Sequence, residues 1–185
     1  MTSLISRFIR TLLLAAIAAI SAAGTHAAAP DQQSITLLAR YGMLGVADDE
    51  AADPLAGLEL RFPQNWQGVR PWIGLNLTDG NTWFAGAGLV YDIELTRDYR
   101  ATVGTGPFYY QNRPGRDLGL ELEFYSFLEI TRELPRDQRL GIRIGHLSNA
   151  GLGRRNPGSE TVSIVFTRPF STPRRWTQIA LPREH

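Results

Sequence analysis

The stretch "LGLELEFYSFLEI", residues 118–130, decides the fold. Leu118, Leu120, Leu122, Phe124, Leu128 and Ile130 fall on alternate positions, with Glu121, Glu123, Tyr125 and Glu129 between them. Side chains of an extended strand alternate between two faces, whereas an amphipathic helix repeats its apolar positions every three to four residues. The segment is therefore a strand with one apolar face and one charged face.

The same pattern recurs on both sides of it. "SITLLARYG" (34–42), "LAGLELRF" (55–62), "VRPWIGLNL" (69–77), "TWFAGAGLVYDI" (82–93), "RATVGTGPFYY" (100–110), "RLGIRIGHLSN" (139–149) and "ETVSIVFTRPF" (160–170) complete a set of eight, with turn-rich connectors between them. In 69–77, Val69, Ile73, Leu75 and Leu77 oppose Arg70, Trp72 and Asn76; in 82–93, Gly86 and Gly88 lie on the face opposite Trp83, Ala85, Ala87, Leu89 and Tyr91. Glycine there suits a crowded interior. No segment of the mature chain carries a helical period.

Eight strands of this length match the smallest transmembrane β-barrels, whose interior side chains fill the lumen. A lipocalin-like barrel shows the same alternation with its apolar face turned inward around a ligand. Aromatic residues near segment ends (Trp66, Trp72, Trp83, Tyr91, Tyr109, Tyr110, Trp176) read as interfacial girdles, and Glu and Arg on the other face can pair inside a narrow lumen. The expected fold class is thus all-β, an eight-stranded antiparallel transmembrane β-barrel.

The N-terminus fits an exported protein. Arg7 and Arg10 precede an apolar run from Leu12 to Ile20, too short to span a bilayer, and an alanine-rich zone follows. This is the layout of a signal peptide, with cleavage near Ala27. The expected organisation is a cleaved signal at 1–27, a barrel at 28–170 and a C-terminal extension at 171–185. Loss of Arg7 and Arg10 leaves 17 basic against 18 acidic side chains, and no basic run offers a track for phosphates, so nucleic acid is not an expected partner. The chain has no cysteine, which removes disulfides and zinc–thiolate sites, and no metal or other cofactor is expected. Connectors alternate in character. Those after the first, third, fifth and seventh strands share one end, extracellular if the N-terminus is periplasmic.

The connector after the seventh strand lies in "GHLSNAGLGRRNPGSE", residues 145–160. By parity His146 and Ser148 share the apolar face of strand seven, and Glu160 shares that of strand eight. A symmetric hairpin centred near Gly153 sets His146 opposite Glu160, where Cβ atoms lie about 4.5–5.5 Å apart. A carboxylate orienting an imidazole that takes a serine proton is the arrangement of a serine hydrolase. Ser and Asn beside a hairpin loop are also ordinary turn residues. What favours use over ornament is cost: a basic side chain on a lipid-facing barrel surface is unfavourable by roughly 2–4 kcal/mol at the midplane and less near the interface.

These residues resemble the motif of the outer-membrane lipid A 3-O-deacylases, the PagL family, with His146, Ser148 and Asn149 as its His-x-Ser-Asn and Glu160 on the next strand. Gly151 and Asn156 also stand in family-like positions. The resemblance implies an eight-stranded barrel in the bacterial outer membrane with Ser148 as nucleophile, His146 as general base and Glu160 orienting the histidine. It implies a serine esterase that removes the 3-O-linked acyl chain of lipid A through an acyl-serine. Asn156 and a backbone amide near Gly151 are candidates for the oxyanion hole, and Asn149, whose parity points it to the other face, for support of the loop. Arg154 and Arg155 can meet lipid A phosphates or be plain solvated charges, and the plain reading is preferred. The chain departs from many outer-membrane barrels by continuing past Phe170 instead of ending on an aromatic residue. A non-enzymatic barrel and an acyl hydrolase acting on phospholipid stay open as alternatives, as does a homo-oligomer.

Overall fold

A computed structural model describes residues 34–48, 51–63, 68–79, 82–111 and 116–170. The expected signal at 1–27 and extension at 171–185 lie outside them, as do Trp66 and Trp176. Eight strands run β1 (Ile35–Leu44), β2 (Asp53–Arg61), β3 (Val69–Thr78), β4 (Trp83–Glu94), β5 (Tyr99–Tyr110), β6 (Leu122–Leu134), β7 (Gln138–Ser148) and β8 (Ser159–Phe170). Each pairs antiparallel with the next, and β8 returns to β1, closing the barrel. Closure leaves no open edge, so every strand's backbone groups find partners within the sheet.

The faces are inverted relative to a soluble barrel. Leu58, Ile73, Leu75, Leu77, Leu89, Ile142 and Ile164 are exposed on the outside, while Arg61, Arg70, Arg139, Arg143, Glu59 and Glu129 are wholly buried in the lumen. This disposes of the lipocalin-like reading: an apolar belt outside and charge inside suits a barrel whose solvent is lipid.

The lumen has two halves. Toward the end that carries both termini of the barrel, Arg143 Nη2 bonds Glu129 at 2.6 Å and Glu59 at 3.0 Å, and Arg61 Nη2 bonds Glu129 at 2.8 Å. Asp92 receives the Thr102 hydroxyl and lies 3.5 Å from Arg70. All the cations are arginines, whose planar fork bridges two carboxylates at once. Toward the opposite end Trp72, Phe84, Phe108, Tyr110, Tyr125, Phe127 and Leu147 form an apolar plug. Gly145 admits it, because a Cβ there would come within 2.5 Å of the Tyr125 ring.

Three expectations are corrected. Trp72 and Tyr110 are 1% and 0% exposed and belong to the plug, not to a girdle; the outer aromatic contact at that end is Trp83 with Tyr109, ring centroids 5.3 Å apart. Parity already sets Trp72 with Arg70 and Asn76 on one face, now the lumen face; the girdle reading rested on nearness to a segment end, which does not tell inside from outside. Residues 118–121 precede β6: Leu118 folds into the barrel mouth, 1% exposed, where the strand would have carried it outward. The third concerns the site. His146 and Glu160 do project from the outer face, yet they are only 5% and 4% exposed, so lipid does not reach them freely.

Candidate active site

The hairpin register places His146 against Glu160 and ends one pair later, at Leu147 and Ser159. His146 Nδ1 lies 3.4 Å from Glu160 Oε1, a close ion-pair distance but outside hydrogen-bond geometry. Nε2, the nitrogen that would receive a serine proton, has no hydrogen-bond partner among the described residues, so the Ser148 hydroxyl does not reach it in this arrangement. Such contacts are often long before substrate closes a site. Ser148 is half-buried at the end of β7, on the same face as His146.

Asn149 builds the loop beyond. It is wholly buried, its Nδ2 donating to the Leu118 and Arg155 carbonyls at 3.2 and 2.8 Å. Its Oδ1 accepts from the Gly151 amide at 3.0 Å. Its own amide donates to Asn156 Oδ1 at 3.1 Å. The last bond has a consequence for Asn156: with the oxygen engaged, the amide group is held in one orientation and keeps its Nδ2 donors for other partners. The Gly151 amide, by contrast, is occupied by Asn149. Arg155 reaches Asp117 at 2.5 Å on the exposed side of the loop.

Two features escaped the sequence reading. Gly158 follows the loop with φ +67°, and a Cβ there would come within 2.8 Å of His146 Cε1 and 3.3 Å of Nε2. Continued by one pair, the register sets it opposite Ser148. Glycine is needed twice, for the left-handed backbone and for the space beside the ring. Its place within "NPGS" reads as turn chemistry, which hides the second need.

The other is Asp48, in the β1–β2 connection. Its Oδ2 accepts from Ser159 Oγ and from Arg116 Nη1, each at 2.8 Å. Arg116 also donates to the Ala51 carbonyl at 2.8 Å and accepts the Tyr110 hydroxyl on its own carbonyl at 2.9 Å. Gly45 and Val46 donate backbone bonds to the Glu160 carbonyl. Three connections thus meet at Glu160. Burial pushes the Asp48 carboxyl above the usual aspartate range against the pull of Ser159 and Arg116, and the neighbouring Glu160 carboxylate pushes it the same way. No sequence spacing links positions 48, 116 and 159; only barrel closure brings them together.

The family model of the lipid A 3-O-deacylases (PagL) matches residues 55–168, more than half of the chain and all of the hairpin. The chain belongs to the PagL family. A lipid A deacylase PagL of Bordetella bronchiseptica is 25% identical over 101 residues, a match spanning 54% of this chain and 57% of that relative. The crystal structure of the outer membrane enzyme PagL superposes with a TM-score of 0.57 at 22% identity, covering 73% of this chain and 99% of the other. Neisserial surface protein A gives 0.52 at 10% identity over 74% and 96%. The likeness to two differently named proteins shows a shared barrel of the outer-membrane type.

Proposed function

We propose that the protein is an outer-membrane serine esterase that removes the 3-O-linked acyl chain from lipid A. The observation that carries the reading is His146 facing Glu160 across β7 and β8 on the lipid side of the barrel, with Ser148 on the same face. Membership in a family of lipid A deacylases supports the substrate.

In the proposed mechanism the Ser148 hydroxyl gives its proton to His146 Nε2 as its oxygen bonds the ester carbonyl carbon. Glu160 holds Nδ1–H and stabilises the imidazolium that forms. The tetrahedral oxyanion is met by Asn156 Nδ2, a type of contact that contributes roughly 10²–10³ in rate. The amide at Gly151 joins only if it exchanges its bond to Asn149. Collapse breaks the bond to the sugar oxygen, which takes the proton from His146, and leaves an acyl-serine. Water then attacks the acyl carbon with His146 again as base; the bond to the Ser148 oxygen breaks as that oxygen takes the proton back from His146, releasing the fatty acid and the free serine. The outward-facing site lets the acyl chain remain in the hydrocarbon while its ester is at the rim.

Ser126 of β6 also opposes His146 directly. Its hydroxyl bonds Thr105 at 2.8 Å and lies away from the loop donors, which favours Ser148 as nucleophile. The test is mass spectrometry of lipid A from cells expressing the wild type and Ser148→Ala. Loss of one 3-O-acyl chain with the first and none with the second is expected; unchanged lipid A with the wild type, or deacylation by the variant, overturns the reading. A phospholipid substrate would show instead as released lysophospholipid.

A further inference from the structure

Alternate residues of each strand face the lipid. At the end that carries the barrel's termini, β1 to β4 present only apolar or aromatic side chains on that face, from Ile35 and Leu37 to Tyr91 and Ile93. The next four strands differ. Tyr99 of β5, Arg132 of β6 and Arg168 of β8 stand exposed at outward positions, and Gln138 of β7 is half-buried between the two arginines.

Register draws these four together. Arg132 pairs with Tyr99 on one side and with Leu140 on the other. Continued by one pair past Arg139 and Thr167, the β7–β8 register sets Gln138 opposite Arg168. With strands about 4.8 Å apart and about 3.4 Å of rise per residue, the Cα atoms of Arg132 and Arg168 are on the order of 12 Å apart. Two extended arginine side chains can converge on one group across that gap.

Neither arginine has an ion-pair partner among the described residues. The carboxylates at this end are turned elsewhere. Glu94 and Glu133 lie 4.0 and 3.1 Å from Arg100, which belongs to the lumen face, and Asp98 and Asp137 stand in the turns and not at outward strand positions. Arg136, in the turn between β6 and β7, adds a third exposed cation. A guanidinium at the edge of the hydrocarbon is unfavourable unless water or an anion meets it, so a cationic sector on an otherwise apolar rim calls for an anion carried by the lipid itself.

We propose that Arg132, Gln138 and Arg168, with the Tyr99 hydroxyl beside Arg132, form a headgroup site for an anionic phospholipid in the leaflet opposite to the active site. That this leaflet is the phospholipid one rests on the esterase reading above, which puts the other end of the barrel at the lipopolysaccharide leaflet. Each guanidinium offers paired donors matched to phosphate oxygens, and Gln138 and Tyr99 add neutral donors. The row has no carboxylate to receive an ammonium group, so a phosphodiester without an amine, as in phosphatidylglycerol, fits better than zwitterionic phosphatidylethanolamine. The acyl chains then run toward the middle of the barrel over Leu140 and Ile142 of β7 and Phe166 and Ile164 of β8, all exposed.

The experiment is native mass spectrometry of the purified barrel in detergent, titrated with equal amounts of phosphatidylglycerol and phosphatidylethanolamine of the same acyl chains. Wild type is expected to favour phosphatidylglycerol by about thirtyfold, roughly a factor of five for each arginine. Arg132→Gln and Arg168→Gln should each lose about that factor, and the double variant should bring the ratio close to one. Arg97→Gln removes an exposed turn arginine at the same end but outside the row, and should leave the ratio unchanged. The heat-modifiable gel shift checks that each variant is folded, and the single variants carry the test if the double one is not. No preference in the wild type, a preference retained in the Arg132 and Arg168 variants, or an equal loss with Arg97→Gln, the mark of unspecific surface attraction, overturns the proposal. Lipid A deacylation is assayed on the same preparations. A wild type that favours phosphatidylglycerol yet cleaves no lipid A sinks the esterase reading and keeps the headgroup site, whereas one that cleaves lipid A without the preference sinks the site alone.

Discussion

His146 and Glu160 face each other across β7 and β8 with Nδ1 3.4 Å from Oε1, on the outer surface of the barrel yet almost wholly covered. An ionisable pair is tolerated at this height because the β1–β2 connection and the return at Gly158 lie against it. Replacing Glu160 by Gln keeps the volume and removes the charge that stabilises an imidazolium. Deacylation of lipid A is expected to fall by about 10²–10⁴-fold, with the heat-modifiable gel shift of the folded barrel retained. Full activity would show that the carboxylate is not used.

Gly158→Ala puts a methyl group within 2.8 Å of the His146 ring at a backbone angle unfavourable for L-residues. The expected outcome is a drop in kcat of at least about tenfold from a displaced ring, with roughly 1–2 kcal/mol lost from the hairpin. Rates on a defined lipid A, beside the gel shift, separate the two effects.

Asp48 supplies a pH dependence. Its carboxyl value is raised in the folded protein, so the folded form keeps the proton to higher pH than an unfolded connection does. That contribution is complete below the ordinary value of 3.8 and is lost as pH rises through the raised one. Hydrogen exchange of residues 45–48 should accordingly speed up as pH rises across this window, after correction for intrinsic rates, and Asp48→Asn should abolish the dependence. An identical pH response in the variant would assign it elsewhere.

In the lumen, Arg143 bridges Glu59 and Glu129, all three wholly buried. Arg143→Met leaves two carboxylates facing each other and is expected to cost about 3–5 kcal/mol, read as a lower unfolding midpoint in detergent. Adding Glu129→Gln should recover part of the loss. Full additivity of the two changes would contradict the bridge.

Much of this was legible in the linear chain. Parity alone assigned Arg70, Asn76 and Glu129 to one face and Ile73, Leu75 and Ile130 to the other, because a strand's period of two is insensitive to its neighbours. Symmetry about Gly153 gave the pairing of His146 with Glu160, since an antiparallel hairpin preserves the sum of paired positions. Parity turned Asn149 away from the apolar face, and in the structure it is the buried centre of the loop.

The sequence by itself determined eight strands, their faces and the register of the β7–β8 hairpin. Tertiary structure decided that Trp72 and Tyr110 pack into one plug with Phe84, Phe108 and Tyr125, that Asp48 and Arg116 meet Ser159 beside Glu160, and that the Thr105 and Ser126 hydroxyls bond each other. The physical reason is range. Alternation and hairpin register are local properties of a strand and its turn, whereas the filling of the lumen and the meeting of Asp48, Arg116 and Ser159 exist only once the sheet has closed and every stagger is set.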